Sequence, residues 1–172
     1  LMPSGKLSWQ ASSTDLFWAS ISRSVRSPTP FDTDVVELAG ATRFLVGDAN
    51  FKPEQVTAYE AGYRGQWFGR FTLSINAFEN VYDDLKSIEP TPVAFIPLRW
   101  ANTIEGNVHG VEVWGSLQAT DWWQLSAGVT LQHVDLEFEP GASRLLGTSQ
   151  AGDDPHHQAS LRSSMNLGDD VN

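Results

Sequence analysis

The 172-residue sequence predicts an all-β protein, an antiparallel up-and-down transmembrane β-barrel segment of about seven strands. Three observations predict it. Apolar and polar residues alternate along one stretch after another, and a helical 3.6-residue period persists nowhere. The connections between those stretches alternate short and long. The face opposite the apolar one carries Ser, Thr, Gln, Asn and Gly rather than a dense coat of charge.

The elements follow in chain order. Residues 7–11 and 16–24 read as a hairpin over 12–15, with Phe17, Ala19 and Ile21 opposing Ser20, Ser22 and Ser24. Residues 58–67 put Tyr59, Ala61, Tyr63 and Trp67 on one face and Glu60, Gly62, Arg64 and Gln66 on the other. A tight turn at Phe68-Gly69-Arg70 leads into 71–82, where Phe71, Leu73, Ile75, Ala77 and Val81 oppose Thr72, Ser74, Asn76, Asn80 and the Tyr82 phenol. Residues 110–119 set Val111, Val113, Leu117 and Ala119 against Glu112, Trp114, Ser116 and Gln118. After a turn at 120–122, Trp123, Leu125, Ala127, Val129 and Leu131 oppose Gln124, Ser126, Gly128, Thr130 and Gln132. The last stretch, 158–167, sets Ala159, Leu161, Met165 and Leu167 against Gln158, Ser160, Arg162, Ser164 and Asn166.

Short connections at 12–15, 68–70 and 120–122 alternate with long ones at about 27–53, 84–106 and 139–154, which hold most of the prolines. Short turns at one end of a sheet and long loops at the other mark an outer-membrane barrel. Stretches of 10–14 residues suit a tilted span of about 9–11. Trp67, Phe68, Trp122 and Trp123 sit at the short turns, where amphipathic rings anchor at a membrane interface. Closure into a barrel is required because lipid satisfies no open backbone edge. A secreted soluble β-sandwich that binds glycans through exposed Trp is the alternative at this point.

Composition narrows the function classes. The formal net charge of −10 argues against a nucleic-acid partner, which needs a basic patch. The absence of Cys excludes a disulfide framework and Cys-based metal or redox chemistry. The acidic stretches 32–37, 135–139 and 153–154 read as solvated loop charge. No apolar run approaches the roughly 20 residues of a spanning helix. The opening Leu1-Met2-Pro3-Ser4-Gly5 has no secretory leader pattern, which predicts a chain that is soluble or begins downstream of its own export signal.

At family level, the chain resembles the C-terminal barrel of TonB-dependent outer-membrane receptors. The resemblance covers most of the sequence. It rests on LFWASISRSVRSPTPFD (16–32), FKPEQVTAYEAGYRGQW (51–67), FTLSINAFENVYDDLKSIEP (71–90), NVHGVEVWGSLQATDWWQLSAGVTL (107–131) and DDPHHQASLRSSMNL (153–167). These look like the family's strand before an Arg-x-Pro loop, its Tyr-Glu-x-Gly strand, its Tyr-Asp-Asp-Leu strand, its Gly-x-Glu hairpin and its Pro-x-His-Gln return strand. The resemblance implies a barrel of about 22 strands with a plug inside. Residues 1–172 would then be part of one barrel domain, without the plug and the remaining strands. It implies uptake of a scarce ligand, a ferric siderophore or similar iron complex, across the outer membrane of a Gram-negative bacterium. Energy would come from the TonB-ExbB-ExbD complex, and outer-membrane lipid would surround the wall. The short turns would face the periplasm and the long loops the exterior.

That orientation makes Arg26, Arg43, Phe95, Arg99 and Trp100 ligand-facing candidates, since guanidinium suits anionic iron chelates. Glu60, Arg64, Glu112 and Arg162 share the polar face and read as lumen ion pairing. His156 and His157, near Asp153 and Asp154, read as a loop-to-strand boundary, because adjacent strand residues point to opposite faces and cannot easily share an ion. His109 and His133 stand isolated in the sequence and are read the same way. There is no Gly-x-Ser-x-Gly, no phosphate-binding Gly loop and no placeable Ser-His-Asp set, so the expectation is a non-enzyme without metal or cofactor.

Overall fold

The computed structural model describes residues 1–166, so Leu167 lies outside the described residues. Nine strands form one sheet: β1 (Ser4–Gln10), β2 (Asp15–Arg26), β3 (Val36–Ala39), β4 (Thr42–Val46), β5 (Glu54–Trp67), β6 (Phe71–Thr91), β7 (Ala94–Thr120), β8 (Trp123–Phe138) and β9 (His157–Met165). Seven of them make an antiparallel meander in the order β1-β2-β5-β6-β7-β8-β9, as the alternation predicts. The other two, β3 and β4, are a hairpin inside the long 27–53 connection. That connection also holds a single helical turn, α1 (Pro30–Thr33), and residues 148–151 form a 3-10 turn. Neither was visible as a period in the sequence, because one turn is shorter than any window that could reveal it.

The short turns fall where expected, between β1 and β2, β5 and β6, and β7 and β8. The 84–106 stretch does not. It is not a loop: β6 and β7 run on for 21 and 27 residues and pair past their neighbours as far as Thr91 and Ala94. The expected strand length of 10–14 residues is therefore too short for these two. Likewise residues 135–138 belong to β8, not to a loop.

A protruding hairpin persists only when its edges are covered. On the β7 side, β4 adds in parallel, with Leu45 against Leu98 and Val46 against Arg99. On the β6 side the caps are side chains. The Lys86 amide donates to Glu54 Oε1 at 2.7 Å, and the Ile88 amide donates to Gln150 Oε1 at 2.8 Å. The hairpin leaves the wall at an irregularity between Tyr82 and Leu85, where Asp84 has φ of 56° and Gly106, across from Tyr82, has φ of 146°.

Burial is lopsided. Ile104, Leu45, Phe51 and Ala101 form a small apolar core together with buried Asp32, Ser87 and Glu89, all at the end of the sheet away from the short turns. Along the meander no second layer covers the apolar face: Val113 and Val129 are exposed, and Leu73 and Leu125 are half-buried by their own sheet. A soluble sandwich needs a facing sheet about 10 Å away, and the described residues form one sheet only.

Candidate functional site

Register fixes two faces. One row of directly paired residues runs Phe17, Tyr63, Ile75, Val113, Val129, and the next toward the short turns runs Gly65, Leu73, Gly115, Ala127, Leu161. On the opposite face Gly62, Asn76, Glu112, Thr130 and Gln158 share a row, as do Arg64, Ser74, Trp114, Gly128 and Ser160. The apolar face contains an open groove of about 430 Å³ over Leu73, Val113, Leu125 and Leu161.

Aromatic rings cross the apolar face near the short turns. Trp9, Phe17, Tyr63, Trp67 and Phe71 touch in sequence, with ring centroids 5.7, 4.9, 6.3 and 5.5 Å apart. Trp122 and Trp123 stack at 6.3 Å, and Trp123 Nε1 donates to Ser163 Oγ at 2.9 Å. Phe68 projects from its turn almost fully exposed. Such a row keeps ring bodies in an apolar medium and leaves N–H groups a polar partner. Trp9, Phe17 and Tyr63 join it only through strand pairing, which the sequence alone could not align.

The polar face is built from hydroxyl contacts. Ser20 Oγ donates to Glu60 Oε2 at 2.9 Å, Arg64 Nε donates to Ser74 Oγ at 3.4 Å, and the Thr72 and Ser116 hydroxyls lie 2.7 Å apart. Glu60, Arg64, Glu112 and Arg162 occupy this one face, each on a different row. Among the described residues, no ion pair joins any two of them.

One ion pair among the described residues, Arg70–Asp121, joins two short turns, and the other five gather at the opposite end of the sheet. Asp32, read from the sequence as solvated loop charge, is 1% exposed. Its Oδ1 accepts from Lys86 Nζ at 2.6 Å; its Oδ2 accepts from Arg26 Nη1 at 3.2 Å and from the Thr29 amide and hydroxyl at 2.9 and 2.8 Å. Arg26 also bonds Glu54, and Arg99 bonds Asp48. Lys86 Nζ lies over the Trp100 ring, which is tilted against Phe31. Phe95 and Arg43 remain exposed. Arg26, Arg99 and Trp100 are thus engaged with protein groups, while Arg43 and Phe95 face outward.

Burial of Asp32 opposes its ionisation, but the bonds from Lys86 and Thr29 outweigh burial and hold the carboxyl well below the usual carboxylate range. A depressed acid stabilises the fold above its unfolded pKa of about 3.9 and loses that contribution as pH falls further. Cleavage of the 27–53 connection by an acid protease is therefore expected to stay slow at pH 5 and to accelerate below about pH 3. An Asp32→Asn variant should lack this step, and a wild-type connection cleaved equally fast at pH 5 and at about pH 2 would contradict the assignment.

His109 and His133 are not isolated in space. Register pairs them directly, with rings 5.4 Å apart, and His156 adds a third ring 6.3 Å from His133. His109 and His133 lie on the apolar face at the end away from the short turns, with His109 directly paired to Glu79. From Leu117 to His109 the strand covers about 26 Å, or about 20 Å of depth at a 40° tilt, close to the apolar band of a barrel wall. Among the described residues no group of three or more His, Asp or Glu is arranged to hold a metal ion.

Comparison with known proteins gives a consistent result. A family model described as TonB dependent receptor-like, beta-barrel matches residues 1–170. A search of curated proteins found no match. Among solved structures, the siderophore receptor PirA from Pseudomonas aeruginosa is similar with 21% identity and a TM-score of 0.65, over 77% of this chain and 25% of that one. The FrpB iron transporter from Neisseria meningitidis (F3-3 variant) has 21% identity and a TM-score of 0.61, over 78% of this chain and 20% of that one. The alcaligin outer membrane receptor FauA from Bordetella pertussis has 18% identity and a TM-score of 0.59, over 98% of this chain and 27% of that one. At these identities the likeness establishes the fold, and the chain spans about a fifth to a quarter of the length of these structures. With a family model covering nearly its whole length and a meander that matches part of these receptors, the chain belongs to the TonB-dependent receptor-like β-barrel family.

Proposed function

We propose that this chain supplies wall strands and outer connections of a receptor in the outer membrane of a Gram-negative bacterium. The receptor takes up a scarce ligand, a ferric siderophore or similar iron complex. The TonB-ExbB-ExbD complex supplies the energy through a plug region, and the chain itself makes and breaks no bond. The single observation that carries this reading is the pair of faces. An uncovered apolar face bearing an aromatic row at the short turns fits acyl chains. A hydroxyl- and amide-rich face fits a wet interior, where Glu60, Arg64, Glu112 and Arg162 carry the charge. Trp67, Phe68, Trp122 and Trp123 would mark the periplasmic interface. Of the outer candidates, Arg43 and Phe95 present the open surface for ligand contact, backed by Arg26, Arg99 and Trp100.

The test is uptake of ⁵⁵Fe supplied as its enterobactin, alcaligin and citrate complexes. A strain lacking the parent gene is compared with the same strain complemented, with and without TonB. Loss of accumulation of at least one complex on deletion, with restoration only when TonB is present, is the expected result. Identical accumulation in all strains and for all three complexes would overturn the iron reading. In the complemented strain, Arg43→Ala with unchanged receptor level should reduce accumulation several-fold.

A further inference from the structure

We propose that Lys86 is an internal clamp: its ammonium locks the 27–53 connection onto the β6–β7 hairpin, so that the two form one rigid outer unit before any ligand arrives. The ammonium sits in a box of one carboxylate and three rings. Asp32 Oδ1 lies at 2.6 Å, and the ring centroids of Trp100, Phe31 and Phe51 lie at 3.6, 5.0 and 5.9 Å. A carboxylate and stacked aromatic faces are what recognises an ammonium ion. Here the cation comes from the chain itself.

The box joins pieces far apart in sequence. Phe31 and Asp32 come from α1, Phe51 from the return to β5, Lys86 from β6 and Trp100 from β7. Asp32 carries the load on both oxygens, because Arg26 and Thr29 take the one that Lys86 leaves. The other attachments to the hairpin come from the return limb: the Lys52 amide donates to Asn102 Oδ1 at 2.7 Å, and Asp48 pairs with Arg99. β4 meets β7 at just two positions. The forward limb, 28–39, pairs with the return limb through β3–β4 and through the Gly47 N–Val35 O and Asp48 N–Asp32 O bonds, and α1 reaches the β6–β7 hairpin through the box. The amides of the α1 turn are protected by short-range bonds, Thr33 N to Thr29 O at 3.2 Å and Asp34 N to Pro30 O at 2.9 Å, which open once α1 is released. The clamp stands on this geometry and does not need the uptake reading. If both hold, this side of the mouth is a preformed wall rather than a closing lid.

Hydrogen exchange on the whole receptor in detergent, without ligand, tests it. Lys86→Met is expected to speed exchange of the Thr33 and Asp34 amides about 30-fold, with the wall strands unchanged. Lys86→Arg should return them to within about 3-fold of wild type, because a cation refills the box. Trp100→Leu, which keeps the Asp32 pair, should give an intermediate rate if Lys86→Met fails to assemble. Fast exchange in the wild type, or no change in either Lys86→Met or Trp100→Leu, overturns the clamp. Equal acceleration in Lys86→Met and Lys86→Arg also overturns it, since charge in the box would then be irrelevant.

Discussion

Replacing Val113 with Arg is expected to destabilise the inserted barrel by about 2–4 kcal/mol, whereas Thr130→Arg should change it by less than about 1 kcal/mol. Val113 is exposed at the middle of the apolar face, four residues from both Leu117 and His109. An Arg there would sit near the bilayer midplane, with only a long reach to either interface. Thr130 lies on the opposite face, directly paired with Glu112 in β7. An Arg there gains a carboxylate neighbour in a wet interior. The two variants add the same charge and similar bulk one strand apart, so only the surrounding medium distinguishes them. Heat-modifiable electrophoretic mobility and urea titration in bilayers of the whole receptor read the outcome. Equal stability of the two variants would sink the assignment of lipid and lumen.

Gly106→Val is expected to block assembly of the outer hairpin, at a cost of about 3 kcal/mol or more. At φ of 146° the backbone of Gly106 is outside the range an L side chain adopts easily. A Cβ at this position would lie 2.1 Å from the Asp135 carbonyl oxygen and 2.8 Å from the Leu136 Cα. Both obstacles are backbone of the neighbouring β8 strand, so no rotamer relieves them. The irregular pairing between Tyr82 and Leu85 faces the same spot. Together they turn the sheet from wall into projecting hairpin. The variant should therefore expose 84–103 to protease while leaving the wall strands paired. A protease pattern identical to wild type would show that the backbone relaxes there at little cost.

The strand meander was legible because strand period is a local property. In 71–82 every second residue but Glu79 is apolar, which is the period of a strand. Gly69 and the Thr120-Asp121 pair likewise announced their turns through local backbone preference. The outer end was not legible. Asp32 reads as one acid among several in a Pro-rich stretch, and nothing near it in sequence says that Lys86, 54 residues on, will bury it. The same holds for the histidine rings, since 24 residues separate His109 from His133 and only the β7–β8 register brings them face to face.

The amino-acid order by itself determined the seven strands of the meander, which side of each is greasy and the three short turns, because pleat and turn chemistry act over a few residues. Tertiary structure alone decided that 84–106 is an extension of the wall, that 27–53 folds back onto it, and that the buried charge collects at the end of the sheet away from the short turns. Those outcomes depend on edge coverage and on carboxylates and ammonium ions meeting across dozens of residues, which no local pattern encodes.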